Sequence, residues 1–232
     1  MTTQLRRAPS VADHFTLNPF RWSQRTGALV SGYALAVMAL AAVFGYFIAI
    51  KGLWVAGDAI KTVEAIAGSP ALWIAGVTTM LFVSVLDIVA AAGTAALFLP
   101  VNRVLSTIAG ATRTVFALSF MVAISQLIVA FTQLNEPAKA LASIEAFSTI
   151  WQTGLGLFGV YLLMVAYLTY RSGFIPKIFA ILIVIAGLGY IADLVGLTLV
   201  AGFAPIFGTF GFIGETAMIF WLLIKGRHLP RV

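Results

Sequence analysis

Long apolar stretches alternate with short polar segments along almost the whole chain. Six of these stretches come close to the roughly 20 residues that an α-helix needs to cross the hydrocarbon layer of a bilayer. The six predicted spans cover residues 27–50, 71–98, 104–134, 147–170, 178–201 and 205–225. The pattern therefore predicts an all-α, polytopic membrane protein built as a bundle of six transmembrane helices.

Prolines and short polar runs separate the predicted spans. Pro100 ends the second span, because proline lacks the N–H that would continue the helical hydrogen bonds. The polar break at 135–137 ends the third span in the same way. We expect a cytoplasmic N-terminal tail at 1–26, one six-helix transmembrane domain at 27–226 and a cytoplasmic C-terminal tail at 227–232.

Basic residues are concentrated on one side of the predicted bundle, as cytoplasmic segments of membrane proteins require. With the N-terminus inside, Lys51, Lys61 and Lys139 lie outside, and most of the acidic loop residues lie with them. The other eleven of the 14 basic residues fall in or next to inner segments: Arg6, Arg7, Arg21, Arg25, Arg103, Arg113, Arg171, Lys177, Lys225, Arg227 and Arg231. The distribution predicts that both termini are cytoplasmic. As a separate expectation, we assign the protein to the cell inner membrane.

Composition excludes a soluble domain. The chain is 61% hydrophobic and only 9% charged, whereas soluble domains carry about 25% charged residues. The net charge of +6 lies at helix ends, where it meets anionic lipid headgroups. We therefore expect membrane lipids as partners and no nucleic acid, and we leave a homo-oligomer open.

Cysteine is absent, and both histidines, His14 and His228, lie outside the predicted spans. Disulfides and thiolate metal sites are therefore excluded, and an intramembrane histidine cluster for zinc has no ligands. We expect no metal and no cofactor. The residue pattern also contains no catalytic constellation, so it does not favour an enzyme.

Four ionisable residues remain inside the predicted spans: Asp87, Arg113, Asp193 and Glu215. A charge at the bilayer centre costs at least about 2.5–3.5 kcal/mol, so such residues usually face the bundle and find partners. Asp87 lies thirteen residues before Pro100 and Arg113 thirteen residues after it. Equal spacing from the turn gives equal depth, roughly 20 Å, and predicts an ion pair between Asp87 and Arg113.

The other two acids lie at different predicted depths. Glu215 precedes the basic end of its span by ten residues, which places it near the depth of Arg113. Arg113 would then lie between two carboxylates. Asp193 lies closer to the outer face. We treat all four residues as a candidate buried polar or proton-relay cluster.

Two interpretations of this cluster remain open. It could hold helices together, since polar contacts in membranes contribute about 0.6 kcal/mol on average. Alternatively, two acids sharing one arginine would leave a carboxylate suited to binding a proton or a cation. We therefore expect an integral membrane protein of unassigned biochemical activity, with a small-solute or ion transporter, proton-coupled in one version, as the alternative. A membrane enzyme acting on lipid has the least support.

Several short motifs follow one another along the chain: VAGDA at 55–59, LPVNR at 99–103, Arg113, YRSGFIPK at 170–177, AGLGYIAD at 186–193, Gly214-Glu215 and WLLIKG at 221–226. Together they resemble a bacterial multi-pass membrane protein family named as domain of unknown function 4386. The resemblance implies an integral membrane protein and brings no established activity, cofactor or substrate. It also implies a histidine in the fourth helix, where this chain carries Tyr161.

Overall fold

The computed structural model describes residues 18–230, apart from the side chains at 209, 210, 212 and 213. Residues 1–17 of the predicted N-terminal tail and residues 231–232 of the C-terminal tail lie outside this range. The predicted inner residues Arg6, Arg7 and Arg231 lie there too, as does His14. The fold therefore concerns the predicted transmembrane domain and its immediate flanks.

Helices account for nearly all of the described chain, and no strand occurs within it. A first long helix consists of α1 (Gln24–Ala42), a π-helical stretch (Val43–Ile50) and a last turn, α2 (Lys51–Leu53). The remaining α-helices are α3 (Ala59–Gly68), α4 (Pro70–Phe98), α5 (Arg103–Thr132), α6 (Pro137–Ser172), α7 (Lys177–Leu199) and α8 (Gly211–Ile224). Short 3₁₀ turns occupy Pro19–Arg21, Phe207–Phe210 and Gly226–His228.

Within the described residues, five helical segments are long and apolar enough to cross a membrane: Gln24–Leu53, α4, α5, α6 and α7. This confirms an all-helical fold and indicates a multi-pass membrane protein. The sixth predicted span, 205–225, is shorter than expected, because α8 has only 14 residues. The 3₁₀ turn Phe207–Phe210 precedes it.

The fourth predicted span also differs from the structure, since α6 begins at Pro137 rather than at residue 147 and has 36 residues. Proline at the first helical position already has the required φ and needs no N–H partner. The added turns are covered by α3, a helix that hydropathy alone did not predict. Ile66 of α3 and Ile144 of α6 lie in the same buried cluster.

One end of the bundle brings together four chain segments. The amide of Gln24, at the start of α1, donates to the carbonyl of Leu97 near the end of α4, at 3.2 Å. The Phe98 ring stacks on Phe174 in the α6–α7 turn, with centroids 6.4 Å apart. Phe174 in turn contacts Trp221 near the end of α8. Consecutive spans are therefore antiparallel, and this end is the one that the basic residues flank.

Small residues allow α1 and α4 to pack backbone against backbone. A Cβ atom added at Gly93 would lie 2.6 Å from Oγ of Ser31 and 2.9 Å from the carbonyl oxygen of Gly27. Ser31 uses the contact to donate to the carbonyl of Ala90, at 3.2 Å. Between helices surrounded by lipid there is no hydrophobic driving force for association. Close approach of this kind lets dispersion contacts and hydrogen bonds stabilise the packing instead.

The chain folds back along α7 before α8 begins. Gly202 has φ +74°, a left-handed conformation that favours glycine. Phe203 then packs at Gly196 and the backbone of Phe207 at Gly189. Seven residues of α7 rise roughly 10 Å, and the returning chain matches this with four residues, so it is extended. We call residues 200–206 the re-entrant segment.

Asp193 satisfies the backbone at the end of the re-entrant segment. Its Oδ1 accepts the N–H groups of Ile206 and Phe207, each at 3.0 Å, and Oδ2 accepts that of Gly208 at 2.7 Å. Backbone groups without a partner are costly next to apolar surroundings, so non-helical chain there needs hydrogen bonds within the protein. Asp193 thus has a structural role that allows α8 to start deep in the bundle.

Gly93→Ala is expected to destabilise the protein by about 1–3 kcal/mol, because the added methyl group overpacks the α1–α4 contact. The measurement is the free energy of unfolding in mixed detergent micelles. Gly52→Ala is the matched control, since a Cβ atom there meets nothing within 4 Å. Equal stability of the two variants would contradict the close packing.

Asp193→Asn is expected to expose the backbone at the start of α8, because an asparagine amide nitrogen cannot accept an N–H. Hydrogen exchange should accelerate at least about tenfold at the amide of Gly208, which loses its acceptor, since hydrogen bonds to charged groups contribute about 1.5–3 kcal/mol. The acceleration should be smaller at the amides of Ile206 and Phe207, which the remaining Oδ1 can still accept. Asp58→Asn is the control, because Asp58 caps the start of α3 and pairs with the ammonium of Lys61 there, away from these three amides. Unchanged exchange in Asp193→Asn would show that another group holds these amides.

Candidate functional site: a charged cavity between the helices

The predicted ion pair between Asp87 and Arg113 is present. The turn at Pro100 makes α4 and α5 an antiparallel hairpin and brings the two side chains to the same depth. Nε and Nη2 of Arg113 both donate to Oδ1 of Asp87, at 2.8 and 2.5 Å. Asp87 is 2% exposed and Arg113 4% exposed. Both are charge-assisted hydrogen bonds, which are stronger than hydrogen bonds between neutral groups.

Tyr161 of α6 accepts a third hydrogen bond from Arg113. Its hydroxyl oxygen accepts an N–H from Nη1 at 2.9 Å. The guanidinium carbon also lies 5.0 Å from the ring centre of Tyr161 and 5.4 Å from that of Phe158, distances at which an aromatic face attracts a cation. Arg113 therefore joins α4, α5 and α6 through one charged group.

Glu215 has a different partner from the one predicted. Its Oε1 accepts a hydrogen bond from the hydroxyl of Tyr190 on α7, at 3.0 Å. Within residues 18–230, the only carboxylate paired with Arg113 is that of Asp87. Arg113 therefore contacts one carboxylate directly, and Tyr161 accepts the hydrogen bond of its third donating nitrogen.

The Asp87–Arg113 ion pair and Glu215 line the same cavity, which has a volume of about 420 Å³. Asp87, Arg113 and Glu215 all line it, and every long helix of the bundle contributes a wall. The volume falls in the range of small-molecule sites, which are typically mostly apolar with a few placed polar groups. Asp193 is not among the lining residues, so the structure separates it from the other three candidate residues.

Aromatic rings form much of the cavity wall. They include Tyr190, which contacts Glu215, together with Phe158, Trp151 and Tyr46. Phe158 lies edge-on to Tyr190 with centroids 5.6 Å apart, and Tyr46 lies edge-on to Trp151 at 4.8 Å. Tyr46 belongs to the π-helical stretch of the first span. Such stretches occur frequently at functional sites.

Sequence reasoning missed the roles of Tyr161 and Tyr190, although a signal was present. Tyrosine in membrane helices prefers the interfaces, where its hydroxyl meets water. Both residues lie instead in the middle of predicted spans, at 147–170 and 178–201. A tyrosine at that depth needs an internal hydrogen-bond partner, and the buried ionisable residues are the available ones.

The donor set does not fit a metal ion. In the described part of the chain, no three His, Asp or Glu side chains converge as metal ligands would. The chemistry available at the cavity is that of one ion pair, one further carboxylate, hydroxyl groups and aromatic faces. These groups can bind a charged or hydrogen-bonding solute and can hold a proton.

Tyr161→Phe is expected to destabilise the protein by about 1–3 kcal/mol, because it leaves a buried N–H of Arg113 without an acceptor. The phenyl ring keeps the contact with the guanidinium, so the loss isolates the hydroxyl. Tyr167→Phe is the matched control on the same helix, since Tyr167 is 49% exposed. Equal unfolding free energies for the two variants would contradict the assigned role of Tyr161.

The comparisons with known proteins agree with the resemblance seen in the sequence. The chain matches the family described as Domain of unknown function (DUF4386) over residues 30–226. It is 33% identical over 148 residues to an uncharacterized protein of Archaeoglobus fulgidus, a match that covers 64% of this chain and 82% of that one. No solved structure matches. The chain is therefore a member of the DUF4386 family.

Proposed function

We propose that this protein is a carrier of the cell inner membrane that binds a small solute in the cavity between its helices. The observation that carries the proposal is that a cavity of about 420 Å³ reaches Asp87, Arg113 and Glu215 together. Intramembrane ionisable residues that face a cavity mark substrate, ion or proton pathways in membrane proteins. A cavity of this size at their side chains provides the space that a solute needs.

The proposed topology has six membrane segments and both termini in the cytoplasm. The sixth segment combines the 3₁₀ turn Phe207–Phe210 with α8, and the re-entrant segment supplies its outer part. Support comes from the basic residues that flank one end of the bundle. Interrupted helices beside a central site are a recurring feature of secondary transporters.

A purely structural role accounts for only part of the arrangement. Asp87, Arg113 and Tyr161 form a contact that would hold three helices together without any cavity. Glu215 belongs to a separate contact with Tyr190, and it is half-buried at the cavity wall. Binding also accounts for the site better than acid–base chemistry on lipid, because Asp87 is already held by Arg113 as an ion pair.

Access of water and small solutes to the cavity can be tested by cysteine labelling, because the native chain contains no cysteine. Thr216→Cys places a thiol on the cavity wall beside Glu215. We expect N-ethylmaleimide, a neutral reagent, to label this variant in membrane vesicles. The reacting species is the thiolate, which forms only where water reaches the sulfur.

Leu40→Cys is the control, because Leu40 of α1 is 75% exposed on the outside of the bundle and faces the acyl chains in the proposed topology. We expect Thr216→Cys to react at least roughly tenfold faster than Leu40→Cys. A cavity thiol that is as inert as the control thiol would mean that the core is sealed, and the carrier proposal would then be wrong.

A further inference from the structure

We infer that the cavity selects an organic cation with a compact apolar body, held by the carboxylate of Glu215 and by aromatic faces. The inference rests on the proposed function, since it names the class of solute that the same cavity would carry. Three observations support it: the balance of charged groups, the aromatic wall, and the absence of a free basic group on the described lining.

The charged groups that line the cavity are two carboxylates and one guanidinium. Asp87 and Arg113 neutralise each other through the two contacts to Oδ1. Glu215 receives one hydrogen bond, from the neutral hydroxyl of Tyr190, and among the described residues no cation is paired with it. The ionised cavity therefore carries one negative charge that a cationic solute would compensate.

The aromatic wall suits the apolar body of such a cation. Tyr190 contacts Glu215, Phe158 lies edge-on to Tyr190, and Phe116 packs on Phe158 with ring centroids 5.0 Å apart. An aromatic face attracts a cation that lies within about 6 Å of its ring centre. Arg113 already shows this contact, because its guanidinium lies over Phe158 and Tyr161.

An anionic solute would not find a comparable site. Arg113 is the only basic side chain among the described residues that line the cavity. Three of its nitrogens already donate, to Asp87 and to Tyr161. An anion would compete with Asp87 for this group and would be repelled by Glu215. A neutral acyl chain would fill the apolar space but would leave Glu215 uncompensated.

The test uses tetraphenylphosphonium and tetraphenylborate, two rigid ions of nearly the same size and shape but opposite charge. Binding of each radiolabelled ion is measured by equilibrium dialysis against the full chain in nanodiscs of phosphatidylcholine. Empty nanodiscs give the background from lipid partitioning. We expect saturable binding of tetraphenylphosphonium, one per chain, at least tenfold tighter than that of tetraphenylborate.

Glu215→Gln removes the negative charge and keeps the side-chain shape. We expect it to weaken binding of tetraphenylphosphonium at least tenfold and to reduce the preference over tetraphenylborate. Glu145→Gln is the matched control, because Glu145 is exposed on α6 and does not line the cavity. Thermal unfolding of both variants establishes that they fold, and the comparison of the two ions on the native chain needs no variant.

Equal affinity for the two ions would overturn the inference, as would tighter binding of tetraphenylborate. The absence of saturable binding of tetraphenylphosphonium would also overturn it, and so would an unchanged preference in Glu215→Gln. These results separate the inference from the proposed function. If Thr216→Cys is labelled but tetraphenylphosphonium does not bind, the carrier proposal stands and the cationic solute class is wrong.

Discussion

The ion pair of Asp87 and Arg113 is the constraint around which the bundle is organised. A charge in hydrocarbon is tolerated when a partner within the protein compensates it. Pairing these two residues fixes the register of α4 against α5, and the third donor of Arg113 fixes the position of Tyr161 on α6. Three of the helices that are long and apolar enough to cross a membrane are thereby aligned with one another, and the cavity forms beside the aligned groups.

The same physical requirement explains why Asp193 and Glu215 have different roles although both are acids within apolar segments. Asp193 accepts hydrogen bonds from three backbone N–H groups that have no helical partner at the end of the re-entrant segment. Glu215 receives one hydroxyl and faces open space. An acid whose lone pairs are filled by the backbone stabilises the fold, whereas an acid at a cavity wall keeps capacity for a ligand.

The sequence could predict whatever follows from counting along straight helices. Pro100 fixes a turn, so equal spacing was enough to pair Asp87 with Arg113. Counting failed at the sixth segment, because the chain returns along α7 in an extended conformation that hydropathy does not signal. The partners of Asp193 and Glu215 depend on that return and on which face of each helix meets its neighbour, and neither follows from the spacing of charges. Hydropathy did not predict the short amphipathic helix α3 for a similar reason, since α3 packs on the first turns of α6 only in the folded bundle.

The organising role of the ion pair is tested most directly by a double-mutant cycle. The free energy of unfolding is measured in mixed micelles for Asp87→Leu, Arg113→Met and the double variant. Each single change should cost about 3–5 kcal/mol, because it leaves one buried charge without its partner. The double variant should be more stable than either single variant, since it removes both charges and keeps apolar bulk. If the losses in unfolding free energy of the two single variants simply add in the double variant, the ion pair does not organise the bundle.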